Sequence, residues 1–234
     1  MTRPPSWDEA FSERYEQWSA AMTADIAFYV ELAREADGPL VELAVGNGRV
    51  AIPVAKETGK KIVGIDRSPA MLALARAGAA EAGVDLELHE GDMRDFEVDE
   101  PAALVYCPFR ALLHLPTWED KRRVFERVAE ALRPGGRFAF NAFVFNPAIA
   151  AANDGKWDVH AGIRHRVDHT PADNRIDITL ESGDKVSLWW ATRSEWDGLV
   201  DVAGLETEAL YGDFERTPFD ETSGEFVWVA RKPE

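Results

Sequence analysis

The sequence predicts an α/β fold: a doubly wound, mostly parallel seven-stranded sheet with helices on both faces, plus a small antiparallel insertion after the fifth strand. Three observations carry this. Between Leu40 and Phe145, short apolar runs alternate with amphipathic stretches of helical period, the pattern of successive βαβ units. The first apolar run, residues 40–45, opens into Gly46-Asn47-Gly48, the tight turn that joins a strand to a helix N-terminus in such sheets. After Pro147 the pattern changes to three short runs, 162–167, 175–180 and 185–190, separated by Asp173-Asn174 and Ser182-Gly183-Asp184, which are turn residues of antiparallel hairpins.

The elements follow in order. Trp7, Phe11, Tyr15 and Trp18 recur at spacings of three and four and form one apolar helical stripe. Ile26, Phe28, Tyr29, Val30 and Leu32 continue into a second helix, which Asp37-Gly38-Pro39 stops. A strand over 40–45 leads to a helix from Arg49. A strand over 61–65 leads to a helix that starts at Ser68-Pro69, a cap followed by proline in the first turn. Strands are expected at 86–89 and 102–107, then an amphipathic helix over 118–132 that ends at Arg133-Pro134-Gly135-Gly136, then the fifth strand over 137–145. Beyond the insertion, a helix over 194–202 is capped by Ser194, and strands 205–211 and 225–230 rejoin the main sheet as an edge hairpin. The whole is one domain, 1–234: N-terminal helices to 39, a core over 40–146, the insertion over 147–192, and a closing helix and strand pair.

Charge narrows the partners. Among 234 residues, 42 acids face 26 Lys and Arg, a formal net charge of -16, which repels a polyanion over most of the surface. No nucleic-acid partner is expected. No run reaches the ~20 apolar residues of a membrane span, and the acid-rich start of the chain lacks the apolar stretch of a secretory signal. Cys107 is the single cysteine. These features point to a cytoplasmic monomer or homodimer acting on a small molecule.

The glycine turn is a cofactor site with two readings. Glycines let a ligand approach the backbone, and the helix that follows offers free N–H groups. Asp66, ending the second strand, can accept hydrogen bonds from both ribose hydroxyls of an adenosine. Gly46-x-Gly48-x-x-Ala51, with an acid twenty residues after Gly46, also fits a nicotinamide dinucleotide site. Three features separate the two: Glu42 inside the first strand, Gly91-Asp92-Met93 after the third, and the LRPGGR run before the fifth.

Together, VELAVGNGR, VGIDRSPAML, EGDMRDF, VYCPFRALLHL and LRPGGRFAFNAF resemble, in order and at matching intervals, the S-adenosylmethionine-dependent methyltransferase superfamily with its Rossmann-like sheet. The resemblance spans roughly residues 40–145. It implies S-adenosylmethionine as cofactor, S-adenosylhomocysteine as product, no metal, and a cradle of Glu42, Ala44, Gly46, Gly48, Asp66, Arg67, Met71, Asp92, Met93 and Cys107. In that cradle Glu42 supports the loop and the amino-acid end of the cofactor, Asp92 meets the adenine amino group, and Met93 packs on the ring. Ala44 departs from the pattern, since many relatives carry glycine there. The antiparallel insertion and the YGDF run resemble small-molecule methyltransferases, including those acting on amino groups of nucleotide-linked sugars. That resemblance implies His114 as a base and Tyr15 as an aromatic near the acceptor.

Arg110 is unusual for its position. Its guanidinium either clamps an anionic group of the acceptor or pairs with one of the many acids. Trp157, Trp189, Trp190 and Trp196 suggest an aromatic flap over the acceptor, with Trp189 and Trp190 on opposite faces of one strand, so that one of them meets the acceptor or an interface. His165 and His169 share a strand face, but no third metal ligand accompanies them. Two other functions stay open on the sequence: a cofactor-binding protein without transferase activity, and a nicotinamide-dependent oxidoreductase.

Overall fold

The computed structural model describes residues 23–234. The Trp7–Phe11–Tyr15–Trp18 stripe, and with it the Tyr15 assignment, lies outside the described residues. The chain runs α1 (Ala24–Glu35), β1 (Leu40–Leu43), α2 (Ala51–Thr58), β2 (Ile62–Asp66), α3 (Pro69–Ala82), β3 (Leu86–Glu90) and β4 (Ala102–Cys107). A 3-10 turn at Ala111–His114 leads into α4 (Trp118–Ala131) and β5 (Leu132–Phe143). The insertion is α5 (Pro147–Asn153), β6 (Trp157–His160), β7 (Ile163–Thr170), β8 (Arg175–Leu180) and β9 (Lys185–Trp189). Helix α6 (Arg193–Val202) and strands β10 (Glu206–Tyr211) and β11 (Glu225–Arg231) close the chain.

The main sheet has seven strands in the order β10-β11-β5-β4-β1-β2-β3. Five are parallel; β11 runs antiparallel to β5, and β10 antiparallel to β11. Strand order reverses between β1 and β4, and a doubly wound sheet opens its ligand crevice at the carboxyl ends flanking such a reversal. The fifth strand starts five residues before its expected position. Leu132 already pairs with Ala102, after which the ladder shifts register and Gly135 turns through φ 71°. The insertion is a separate antiparallel sheet, β6-β7-β8-β9. Its first strand escaped sequence reading because Trp157 and Val159 are both exposed, so no buried face marks it.

Side chains alternate between the two faces, as the pleat requires. Along β11, Phe226 and Trp228 join Phe125 of α4, Phe138 and Phe140 of β5 and Trp196 of α6 on one face. Val227 and Val229 join Phe28 and Tyr29 of α1, Val54 of α2, Leu72 of α3 and Tyr106 of β4 on the other. Trp228 lies parallel to Phe140 with ring centroids 5.9 Å apart, and its indole N–H donates to Thr207 Oγ1 at 3.1 Å. Trp196 belongs to this core and not to a flap: with Leu199 and Val200 it forms the buried stripe of α6.

The cap of α6 is Thr192, not Ser194. Thr192 Oγ1 accepts from the Glu195 N–H at 3.3 Å, and Glu195 Oε2 accepts from the Thr192 N–H at 2.7 Å. This reciprocal pairing satisfies two otherwise orphaned backbone donors. Thr192→Ala is expected to lower stability by about 1 kcal/mol, and Ser194→Ala by less than about 0.5 kcal/mol. Urea denaturation of the two variants checks this; the opposite ranking would return the cap to Ser194.

Candidate active site

A cavity of about 550 Å³ opens over the carboxyl ends of β1, β2 and β4, between the main sheet and the insertion. Its first wall is built from the glycine turn. Ala44, Gly46 and Gly48 all take left-handed φ, 54°, 56° and 81°, so three residues in five bend the chain tightly after β1. Ala44 alone carries a Cβ there, a strain of roughly 1–2 kcal/mol. This explains why glycine suits the position.

Asp66 ties the turn to β2. Gly46 N–H donates to its Oδ2 at 2.7 Å and Ser68 N–H to its Oδ1 at 2.9 Å. Burial raises the Asp66 pKa, and these backbone donors work against the shift. Each carboxylate oxygen keeps acceptor capacity for a further partner. Ala44, Arg67, Met71, Asp92 and Met93 line the same wall. Arg94 donates to both carboxylate oxygens of Asp92, its Nη2 at 2.6 Å and its Nε at 3.0 Å, and reaches on to Asp120 at 2.6 Å. That pairing holds Asp92 below the usual carboxylate range.

Three predicted cradle residues do not line the cavity. Glu42 is buried beneath the turn, and its Oε2 has no hydrogen-bond partner among the described residues. Burial pushes its carboxyl up to about 8, against the pull of the Tyr106 hydroxyl and Arg49. Cys107 is fully buried, its thiol raised by burial into an inert range. Gly48 borders an adjoining groove with Asn47 and Arg49, where an added Cβ would approach Ile52 Cδ1 to 2.9 Å.

The opposite wall starts at Phe109 and Arg110, consecutive non-glycine residues with φ 58° and 61°. Such strain concentrates at ligand sites. It turns Arg110 onto Glu225: Nη2 donates to Oε2 at 2.6 Å and Nε to Oε1 at 3.1 Å. Asn141 Nδ2 donates to Glu225 Oε1 at 2.7 Å, and the Tyr29 hydroxyl donates to Asn141 Oδ1 at 3.2 Å. Of the two readings of Arg110, the structure therefore shows the ion pair. His114 faces the cavity from the end of the 3-10 turn. The residue is exposed toward the cavity, and the protein around it still disfavours its charged form. Desolvation, reinforced by Arg67, pushes its pKa down to about 4.

The insertion closes this side with aliphatic residues, not with the expected tryptophans. Val186 and Leu188 of β9 and Ile178 of β8 line the cavity. Trp189 occupies the opposite parity of β9 and so faces away. Trp190 lies beyond the strand, its ring parallel to Phe145 at 4.1 Å, and its backbone N–H donates to the Asn174 carbonyl at 2.9 Å.

Sequence reasoning missed Asp25, Phe109, Asn141, Phe214 and Glu225, all of which line the cavity. Asn141 had a signal, as a lone polar residue inside the apolar run FAFNAF. Asp25 had none; it clasps Arg49 through two bonds of 2.7 and 2.5 Å from across the fold. Among the described residues, no group of three His, Cys, Asp or Glu is arranged to hold a metal, and no helix is long and apolar enough to cross a membrane.

Comparison with known proteins bears on this geometry. Residues 40–136 match the family model of a methyltransferase domain. The chain is 28% identical over 236 residues to 27-O-demethylrifamycin SV methyltransferase of Amycolatopsis mediterranei, covering 97% of this chain and 84% of that protein. It is 26% identical over 206 residues to dTDP-3-amino-3,6-dideoxy-alpha-D-glucopyranose N,N-dimethyltransferase of Streptomyces fradiae, covering 81% and 78%. Among solved structures, the CcbJ methyltransferase of Streptomyces caelestis superposes with a TM-score of 0.76 at 26% identity, covering 91% of this chain and 90% of that one.

Proposed function

Because this chain belongs to the S-adenosylmethionine-dependent methyltransferase superfamily, we propose that its cavity holds S-adenosylmethionine along the Gly46–Asp66–Asp92 wall and the acceptor between Arg110, His114 and the insertion. The enzyme transfers the methyl group to a nitrogen or oxygen of a small-molecule acceptor. The observation that carries the site assignment is Asp66: a carboxylate fixed by two backbone N–H groups, with its remaining lone pairs free for a ribose diol.

The other residues fit the same cofactor. Glu42 has an orphaned buried oxygen beneath the turn, suited to a cationic amino group. Four carboxylates line the cavity; Asp25 pairs with Arg49, Asp92 with Arg94 and Glu225 with Arg110, so that Asp66 is the one held by backbone N–H groups and left open to a neutral diol. Met71 and Met93 supply polarisable surface for a planar ring. When bound, the cofactor supplies an already activated methyl group, so the protein's main task is alignment. Phe109 and Arg110, held in their strained turn, fix the acceptor wall. Ile178, Val186 and Leu188 exclude water from it.

His114 is the proposed base. It is neutral at pH 7 and so able to take a proton as the new bond forms, its lowered pKa making it a weaker base than a free imidazole. His114→Ala is expected to lower kcat by about 10²-fold, with little change in S-adenosylhomocysteine affinity. The acid limb ascribed to this residue should fall well below pH 6.5. A variant with unchanged kcat would leave His114 a structural role only.

The finer picture is of one domain over 1–234, a cytoplasmic monomer or homodimer without a nucleic-acid partner. The net charge of -16 supports the last point. The function is tested by incubating the protein with methyl-labelled S-adenosylmethionine and a panel of amines and alcohols. Labelled product is expected from some panel members and none with Asp66→Ala. Binding without label transfer to any member would favour a binding protein.

A further inference from the structure

On the reading that this cavity is the acceptor site, we propose that the Arg110–Glu225 pair selects acceptors that carry no phosphate, and that the substrate class is a neutral or cationic molecule with an apolar face. Nucleotide-linked sugars are thereby excluded. The proposal rests on how the acceptor side is built.

A diphosphate is held most strongly by cations that are free to turn toward it. Among the described residues lining the cavity, the cations are Arg67 and Arg110. Arg67 directly follows Asp66, on the cofactor wall. Arg110 is the cation of the acceptor wall, and its guanidinium is committed to Glu225 through three contacts of 2.6–3.2 Å. Glu225 is held in turn by Asn141 Nδ2 at 2.7 Å, and Asn141 by the buried Tyr29 hydroxyl at 3.2 Å. The pair is anchored to the sheet core and does not hang loose at the rim. The Glu225 side chain is 12% exposed, against 44% for Arg110.

A phosphate reaching Arg110 would have to displace that carboxylate or sit beside it. Either arrangement sets like charges together in a half-enclosed space, where water screens them poorly. Across the cavity, Ile178, Val186 and Leu188 offer no hydrogen bonds and match an apolar face.

The test uses thymidine diphosphate and inorganic pyrophosphate as probes, titrated into the complex of the native chain with S-adenosylhomocysteine, and into Glu225→Gln and Arg110→Ala. Both probes should bind the native complex more weakly than millimolar. Glu225→Gln, which frees Arg110, should tighten them by about tenfold or more, and adding Arg110→Ala to it should cancel the gain. Micromolar binding of thymidine diphosphate to the native complex, lost in Arg110→Ala, would overturn the proposal, as would Glu225→Gln without effect. In turnover, phosphate-free amines or alcohols with an apolar face should be methylated, and nucleotide-linked amino sugars should not. S-adenosylhomocysteine binding is measured first in every variant. Its absence from the native chain would refute the underlying reading of the cavity, a result distinct from tight diphosphate binding.

Discussion

Asp66→Ala should abolish measurable cofactor binding, weakening S-adenosylhomocysteine by about 100-fold or more. Two losses combine. A ribose diol on this carboxylate forms two charge-assisted hydrogen bonds, each contributing about 1.5–3 kcal/mol, and about 3 kcal/mol is already a factor of ~100. The same substitution also removes the acceptor that fixes Gly46 N–H at 2.7 Å and Ser68 N–H at 2.9 Å, so the turn loses its tie to β2. Asp66→Asn separates the contributions. It keeps one carbonyl oxygen and the shape of the side chain, and should weaken binding by about tenfold. Calorimetry on the three proteins reads this directly, with circular dichroism to confirm folding. Native affinity in Asp66→Ala would move the cofactor elsewhere.

Glu42→Gln should stabilise the protein while weakening its cofactor affinity. Glu42 ionises near 4.5 when unfolded and at about 8 when folded, because burial disfavours its charged form. A raised folded pKa contributes stability that is fully present below pH 4.5 and is lost as pH rises toward 8. Above that window the native Glu42 is a liability that glutamine lacks. Glu42→Gln is therefore expected to raise stability by roughly 2–3 kcal/mol at pH 7, shrinking toward zero near pH 4.5. Urea denaturation at the two pH values checks the sign. The same variant should bind S-adenosylhomocysteine about 10- to 100-fold more weakly, since on the proposed reading a cationic amino group above the turn draws Glu42 into its ionised form, which a neutral amide cannot adopt. A variant that is both less stable at pH 7 and unimpaired in binding would mean that Glu42 is ordinary packing.

The parallel core was legible because its central strands, β1 and β4, are buried on both faces and stand between helical stretches. β4, Ala102–Cys107, is buried throughout and was placed at its true bounds. The Gly46–Asp66 spacing was legible for the same reason: strand, turn and helix lengths fix it locally. What stayed hidden is what depends on distant pairing. Glu225 meets Arg110 across 115 residues, and no local pattern in the last strand announces it. The cap of α6 was misplaced because serine at 194 and threonine at 192 look alike until Glu195 selects its partner. Tryptophan content suggested a flap, but strand parity decided which residues of β9 face the cavity, and it turned Val186 and Leu188 inward in place of Trp189. Ala44 shows the converse: its departure from glycine was visible at once, while its meaning, a left-handed φ of 54°, needed the backbone.

The most direct test of the central claim is a calorimetric titration of the native chain with S-adenosylmethionine, with S-adenosylhomocysteine, and with NADH as control. One-to-one binding of both sulfur ligands and none of NADH is expected. NADH binding in place of the sulfur ligands would contradict the claim and make the Gly46–Asp66 wall a dinucleotide site.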